Sequence, residues 1–284
     1  MIVIGSRGSQ LALWQAHHIS AKLHDLGVET RLEIIKTTGD KIQDVPLSQV
    51  GGKGLFTKEI EEALLDHRID LAVHSLKDMP SELPQGLILS AIPEREDPRD
   101  ALLGAPLKEG SRVGTSSLRR SVQLMSMHRG VSIETLRGNL DTRIRKLDEG
   151  KYDTIILAAA GLRRLGWANR ISELIPVDVM IPAVGQGALA IETRDDSGEA
   201  HQIAHKLDHQ GSRIAVTAER AFLAVFGGGC QVPIGAHATM DGSSIHLRAF
   251  VSEPDGSNAR RAELTGSDAV GLGERLANQL CGRL

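Results

Sequence analysis

Short β-rich runs alternate with helical patterns along this chain, from Ile2 to Pro80 and again from Val113 to Thr193. That rhythm restricts the fold to βαβ units around a largely parallel sheet. In the first block Ile2 to Ile4 reads as a strand, Gly5 to Gly8 as a turn, and Gln10 to Leu26 as a helix stopped by Gly27. A strand at Thr30 to Lys36, a helix at Phe56 to His67 and a strand at Asp70 to Ser75, closed by Pro80, complete it. Between them runs a polar, Gly-rich connection, residues 37–54 (TTGDKIQDVPLSQVGGKG). Ordinary connections are about 2–6 residues long, and longer ones are often functional lids or disordered segments.

The second block follows the segment EREDPRDA, Glu94 to Ala101. Val113-Gly114-Thr115 leads into a helix from Ser117 to His128, followed by a strand at Val131 to Leu136 and a helix at Asn139 to Gly150. Then come a strand at Thr154 to Ala159 and a short helix at Ile171 to Ile175. After the Gly/Pro-rich crossing Pro182 to Gly187, the strand Ala188 to Thr193 is expected to return to the first domain. The C-terminal part predicts a small α+β domain: helices at Arg213 to Phe226 and Ala269 to Cys281 enclose strands at Gly235 to Met240, Ile245 to Val251 and Ala259 to Leu264.

A chain of 284 residues is long enough for two domains or three small ones. Its net charge of -3 gives no global attraction to nucleic acid or an anionic membrane, and 2% aromatic residues argue against base stacking. No apolar run approaches the roughly 20 residues that span a bilayer, and the opening MIVIGSRGSQ lacks a leader pattern. Cys230 and Cys281 stand in no metal spacing. A cytoplasmic protein with reduced thiols and no metal is expected.

Positive charge is concentrated locally. Between Arg112 and Arg170 ten arginines and two lysines face five acids, a surplus of seven within an acidic chain. Arginine suits planar, bidentate recognition of carboxylate or phosphate. Arg119 and Arg120 follow the cap-type residues Thr115-Ser116-Ser117, Arg143 follows Arg137-Gly138-Asn139, and Arg163 and Arg164 follow Gly161. Cations in the first turn of a helix oppose its dipole, so a bound anion would reverse the sign. Recurrence at three strand-to-helix turns favours an anion site at a sheet's carboxyl edge over a solvated basic face.

Two segments could carry chemistry. HSLKDMP places Lys77 and Asp78 after a strand and before a proline; the carboxylate could move protons or stabilise a cation, and the segment equally suits a turn without chemical duty. GGGCQVPIG puts Cys230 after three glycines. A lone cysteine is more often an inert packed thiol, but glycines open space around it, and thiols near positive charge are activated. His201, His205 and His209 recur every four residues and read as a solvated stripe, while Gly51-Gly52-Lys53-Gly54 lacks the spacing of a phosphate loop.

These motifs, with GSRGSQLALWQA, TTGD, VGGKGLFTKE, DLAVHSLKDMP, VGTSSLRR, LRGNLDTR, LAAAGLRRLG, PAVGQGAL and TAERAFL, together resemble the porphobilinogen deaminase (hydroxymethylbilane synthase) family over most of the chain. The resemblance implies a cytoplasmic, monomeric transferase of porphyrin (tetrapyrrole) biosynthesis that joins four porphobilinogen molecules head to tail with loss of ammonia. It implies two α/β domains hinged like a solute-binding protein, 1–94 with 188–206 and 95–187, and a small α+β domain, 207–284. It further implies a dipyrromethane cofactor in thioether linkage to Cys230, held by Ser75, Lys77, Thr115, Ser117, Arg119, Arg120 and Gly187, with Asp78 catalytic. Arg7, Ser9, Arg137, Arg143, Arg164 and Gln186 match substrate-binding positions, and Lys53 and Phe56 the mobile loop. Gly227 stands where many members carry glutamate. The alternative is a non-catalytic, two-lobed module that binds a polycarboxylate.

Overall fold

The computed structural model describes residues 1–41, 55–128, 130–227 and 232–282. The chain divides into two compact units, Met1–Arg95 with Ala188–Arg213, and Glu96–Gly187 with Ile214–Leu284. Among the described residues no helix is long and apolar enough to cross a membrane.

The first unit opens with β1 (Ile2–Ser6), α1 (Gln10–Asp25), β2 (Thr30–Ile34) and a single turn, α2 (Thr38–Lys41). It continues with α3 (Lys58–Leu65), β3 (Leu71–Ser75) and β4 (Leu87–Ala91). Ser9 caps α1, its hydroxyl accepting from Ala12 N at 3.3 Å. The second unit begins with β5 (Asp100–Gly104), β6 (Arg112–Gly114), α4 (Leu118–Met127), β7 (Ser132–Glu134) and α5 (Leu140–Asp148). After these come β8 (Thr154–Ala158), α6 (Ala159–Arg164) and β9 (Glu173–Ile175). The chain then returns to the first unit for β10 (Leu189–Arg194) and α7 (Glu199–His205). It ends with α8 (Gln210–Val225), β11 (Ile234–Asp241), β12 (Ser244–Val251), β13 (Arg260–Gly266) and α9 (Ala269–Cys281).

Two five-stranded sheets share one plan, β2-β1-β3-β10-β4 and β7-β6-β8-β5-β9. In each, the first three strands are parallel and the fourth runs antiparallel to its neighbours. The expected largely parallel sheets are therefore mixed. As expected, the strand after the Gly/Pro crossing rejoins the first unit, where Leu189 pairs with Ser75. The helix expected at Ile171 to Ile175 is instead the edge strand β9, pairing Glu173, Leu174 and Ile175 with Leu102, Ala101 and Asp100. Five residues are too few to repay helix nucleation, whereas the open edge of β5 offers hydrogen bonds at once. Strands β4 and β5 were not anticipated.

Apolar layers cover both faces of each sheet. In the first unit Ile4, Leu71, Val73 and Ile191 pack with Ala16, Ile19 and Leu23 of α1, while Ala72 faces Ile60, Ala63 and Leu64 of α3. In the second, Ile155 and Leu157 meet α5 and α6 while Ile156 meets Leu124 of α4. Burial on both faces explains why Ile155 to Ala158 reads as an unbroken apolar run.

The antiparallel sheet β11-β12-β13 packs on α8 and α9 through Phe222, Leu247, Leu272 and Leu276. Gly273 lets α9 meet α8 closely: a Cβ there would press on Ala218 O and lie 2.7 Å from Phe222 N. Alanine is the better helix former by about 1 kcal/mol, but this contact is with backbone and cannot give. Gly273→Ala is therefore expected to destabilise the protein by about 1–3 kcal/mol, read as a lower denaturant midpoint.

Candidate active site

At the carboxyl edge of the first unit's sheet, β1 ends at Ser6 and β3 at Ser75, and the expected site residues of this unit follow directly. The guanidinium of Arg7 lies over the Phe56 ring, 4.2 Å from its centroid. Within hydrogen-bond reach of β3's end, buried Gln15 Nε2 donates to Ser75 Oγ at 2.9 Å. Leu76, Lys77 and Asp78 form one 3-10 turn, closed by Met79 N donating to Leu76 O at 3.1 Å. Leu76 and Met79 are buried, Lys77 and Asp78 exposed. Two buried apolar side chains thus anchor the turn that carries the two exposed charged ones. Lys53 and Cys230 lie outside the described residues.

In the second unit β7, β6 and β8 are adjacent parallel strands, so the three turns that carry arginines do share one edge. The arginines themselves differ in what they meet. Ser117 caps α4, accepting from Arg120 N at 3.4 Å, and its own N–H donates to Thr115 Oγ1 at 3.2 Å. Arg119 and Arg120 then turn inward onto Asp100, a strand residue with 0% exposure. Arg119 Nη1 donates to Asp100 Oδ2 at 2.7 Å and Arg120 Nε to Oδ1 at 2.9 Å. Gln186 Nε2 adds a third donor at 3.0 Å, and backbone carbonyls of Ile181 and Ile156 take further guanidinium protons. Burial pushes the Asp100 carboxyl up, but the two guanidiniums outweigh it and hold the group far below the usual 3.8. Two cations on one anion leave a positive charge that Asp100 does not cancel.

Arg164 is also buried, donating through Nη2 to Gly187 O at 2.6 Å, and burial pulls its pKa down to about 10 against the opposing effect of Glu96. It sits in the last turn of α6 rather than the first. Gly187, at φ +88°, passes Glu96 O so closely that a side chain would collide with it. Arg163 pairs with Asp97 at 3.0 Å. Arg137 and Arg143 are half-buried at the β7–α5 turn, where Arg143 Nε donates to Gly138 O at 2.8 Å.

Sequence reasoning did not single out Asp100, Gln15 or Glu192. The histidine stripe is tied to its own unit: His201 Nδ1 lies 2.8 Å from Ser90 Oγ, and His209 Nδ1 lies 2.9 Å from Ser212 Oγ.

A family model described as porphobilinogen deaminase, dipyromethane cofactor binding domain, matches residues 2–202, and one described as porphobilinogen deaminase, C-terminal domain, matches residues 213–282. The chain belongs to the porphobilinogen deaminase family. It is 51% identical over 286 residues to the porphobilinogen deaminase of Brevibacillus brevis, covering 98% of this chain and 93% of that one. It is likewise 51% identical over 288 residues to that of Roseiflexus sp., covering 98% and 95%. Among solved structures it is similar to a periplasmic substrate-binding protein of an ABC transporter from Coxiella burnetii, with TM-score 0.46 and 13% identity over 81% of this chain and 98% of that one. Family membership does not favour the non-catalytic alternative.

The Asp100 cluster yields a direct test. Replacing Asp100 with asparagine leaves two buried cations without their anion, which costs about 3–5 kcal/mol at neutral pH. Because the folded-state pKa is depressed, this stabilisation is present above the ordinary 3.8 and is lost as pH falls toward the folded value. Thermal melts of the wild type and Asp100→Asn should therefore converge as the pH drops below about 4.

Proposed function

We propose that the chain is a transferase of porphyrin biosynthesis that joins four porphobilinogen molecules head to tail, releasing ammonia at each addition and yielding hydroxymethylbilane by hydrolysis. It acts as a cytoplasmic monomer on this small-molecule substrate, with no nucleic acid or membrane partner. Three domains, 1–94 with 188–206, 95–187 and 207–284, carry out the work. The observation that carries the reading is Asp78: in a chain of this family, an exposed carboxylate stands on a turn anchored by buried neighbours.

The donor set suits dipyrromethane, whose pyrroles carry carboxylates. Hydroxyls at Ser75, Thr115 and Ser117, the exposed Lys77 ammonium and the uncancelled charge of Arg119 and Arg120 are the groups such a ligand needs. They would hold the cofactor together with Gly187, with Cys230 as its thioether anchor. When bound, the cofactor supplies the pyrrole on which the chain is begun.

Each porphobilinogen brings two carboxylates, which Arg7, Ser9, Arg137, Arg143, Arg164 and Gln186 bind, Lys53 and Phe56 belonging to the covering loop. Arginine is the apt residue where several carboxylates must be held together, because its charge persists and its donors fork. Loss of ammonia breaks a carbon–nitrogen bond, the electron pair leaving with nitrogen, and a cationic azafulvenium remains. Asp78 stabilises that positive charge and moves the proton displaced in the addition. The arginines cannot do this, since they repel a cation.

Intact-mass measurement should show an adduct of two pyrrole units that is lost in Cys230→Ser; an unmodified wild type that still makes bilane would refute the attachment. Asp78→Asn should keep the adduct while turnover falls by about 10²–10⁴-fold, and unchanged turnover would remove Asp78 from its role.

A further inference from the structure

The layer between α3 and the first unit's sheet is apolar except at the carboxyl end of β3. There His74 Nε2 lies 3.0 Å from Glu192 Oε2, with side chains 5% and 0% exposed. The two side chains are within hydrogen-bond distance in the interior of the unit. Glu61 enters the same layer from the first turn of α3 and is also buried. Burial, reinforced by Glu192, raises its carboxyl above the usual 4.5, with Thr57 and His74 opposing. The second carboxylate oxygen of Glu192 is buried without a hydrogen-bond partner.

Such a cluster is a poor way to gain net stability. Leucine or isoleucine could fill the space without desolvating charge, and buried ion pairs seldom outperform apolar packing. Its effect is better sought in what it fixes. His74, Ser75 and Leu76 precede the Lys77–Asp78 pair, and each is held from a different direction. From the α3 face Glu192 holds the His74 ring, and from the α1 face Gln15 holds Ser75 Oγ at 2.9 Å. From the residue just before β10, Ala188 O accepts from Leu76 N at 3.0 Å.

We propose that His74, held by Glu192 and flanked by Glu61, is a positioning residue that sets the place of the Asp78 carboxylate. The role rests on the assignment of Asp78 to the chemistry. His74 does not touch substrate; it fixes the strand end from which the turn springs. Misplacing a reacting group by about 1 Å can cost on the order of 100-fold in rate, so a fixed strand end has kinetic consequences that its stability does not show.

The test separates position from stability, on holoenzyme whose intact mass shows the pyrrole adduct. His74→Leu strands the Glu192 carboxylate, so it should lose both stability and kcat. Replacing both partners by apolar groups can be nearly neutral for stability, so His74→Leu with Glu192→Leu should melt close to wild type. Its kcat should nonetheless stay about 10–100-fold down, with KM within about 3-fold. His74→Gln keeps a donor toward Glu192 and should restore kcat. His74→Asn, too short to reach Glu192, also strands that carboxylate and should lower both the melting temperature and kcat, less than His74→Leu. Wild-type kcat in the double variant or in His74→Asn, or a raised KM at unchanged kcat, would overturn the role. Asp78→Asn is run alongside: full turnover there would remove the Asp78 assignment and the positioning role with it, whereas its loss with an unaffected His74 series refutes positioning alone.

Discussion

One buried carboxylate organises the second unit. Asp100, on β5, accepts from Arg119 and Arg120 at the start of α4 and from Gln186 in the crossing segment. Without it two guanidiniums would lie in the interior unpaired, a far larger penalty than their opposition to the helix dipole. With it, the strand, the helix start and the crossing segment are locked by a single oxygen pair. The arginines that the sequence marks as ligands for an anion already have one, supplied by the protein. What they offer an incoming carboxylate is excess potential from a rigid base rather than two free forks.

The two units present different side chains at their sheet edges. The first presents Asp78 on a short turn whose neighbours are buried; the second concentrates arginine at the ends of three adjacent parallel strands. Asp78 is exposed at its sheet edge, whereas Arg119, Arg120 and Arg164 are buried at theirs.

Much of this was legible in the sequence where the signal is local. Ser9 and Ser117 mark helix starts because a capping hydroxyl acts within three residues, and β8 is visible as an apolar run because both its faces are covered. The turn that bears Asp78 was legible from the strand before it and the proline after it. What was missed is non-local. Asp100 is separated from Arg119 by 19 positions and sits in a charged segment that conceals β5, since a buried charge breaks the pattern by which strands are recognised. His74 and Glu192 are 118 positions apart and meet only because β10 enters the sheet beside β3. The strand β9 has three residues, and only its partner reveals it.

That late entry of β10 orders the assembly of the molecule. During synthesis the first unit emerges as β1, β2, β3 and β4, yet β3 and β4 do not pair with each other; the strand between them is encoded beyond residue 188. The intervening sheet of the second unit, residues 100–175, is complete before then and needs nothing further from the ribosome to close its strands. A nascent chain released at the crossing segment would hold one finished sheet and one with a gap at its centre, exposing two strand edges that invite pairing with other chains. The first-made sheet is thus finished after the second, and the turn that bears Asp78 acquires its footing only when that strand arrives.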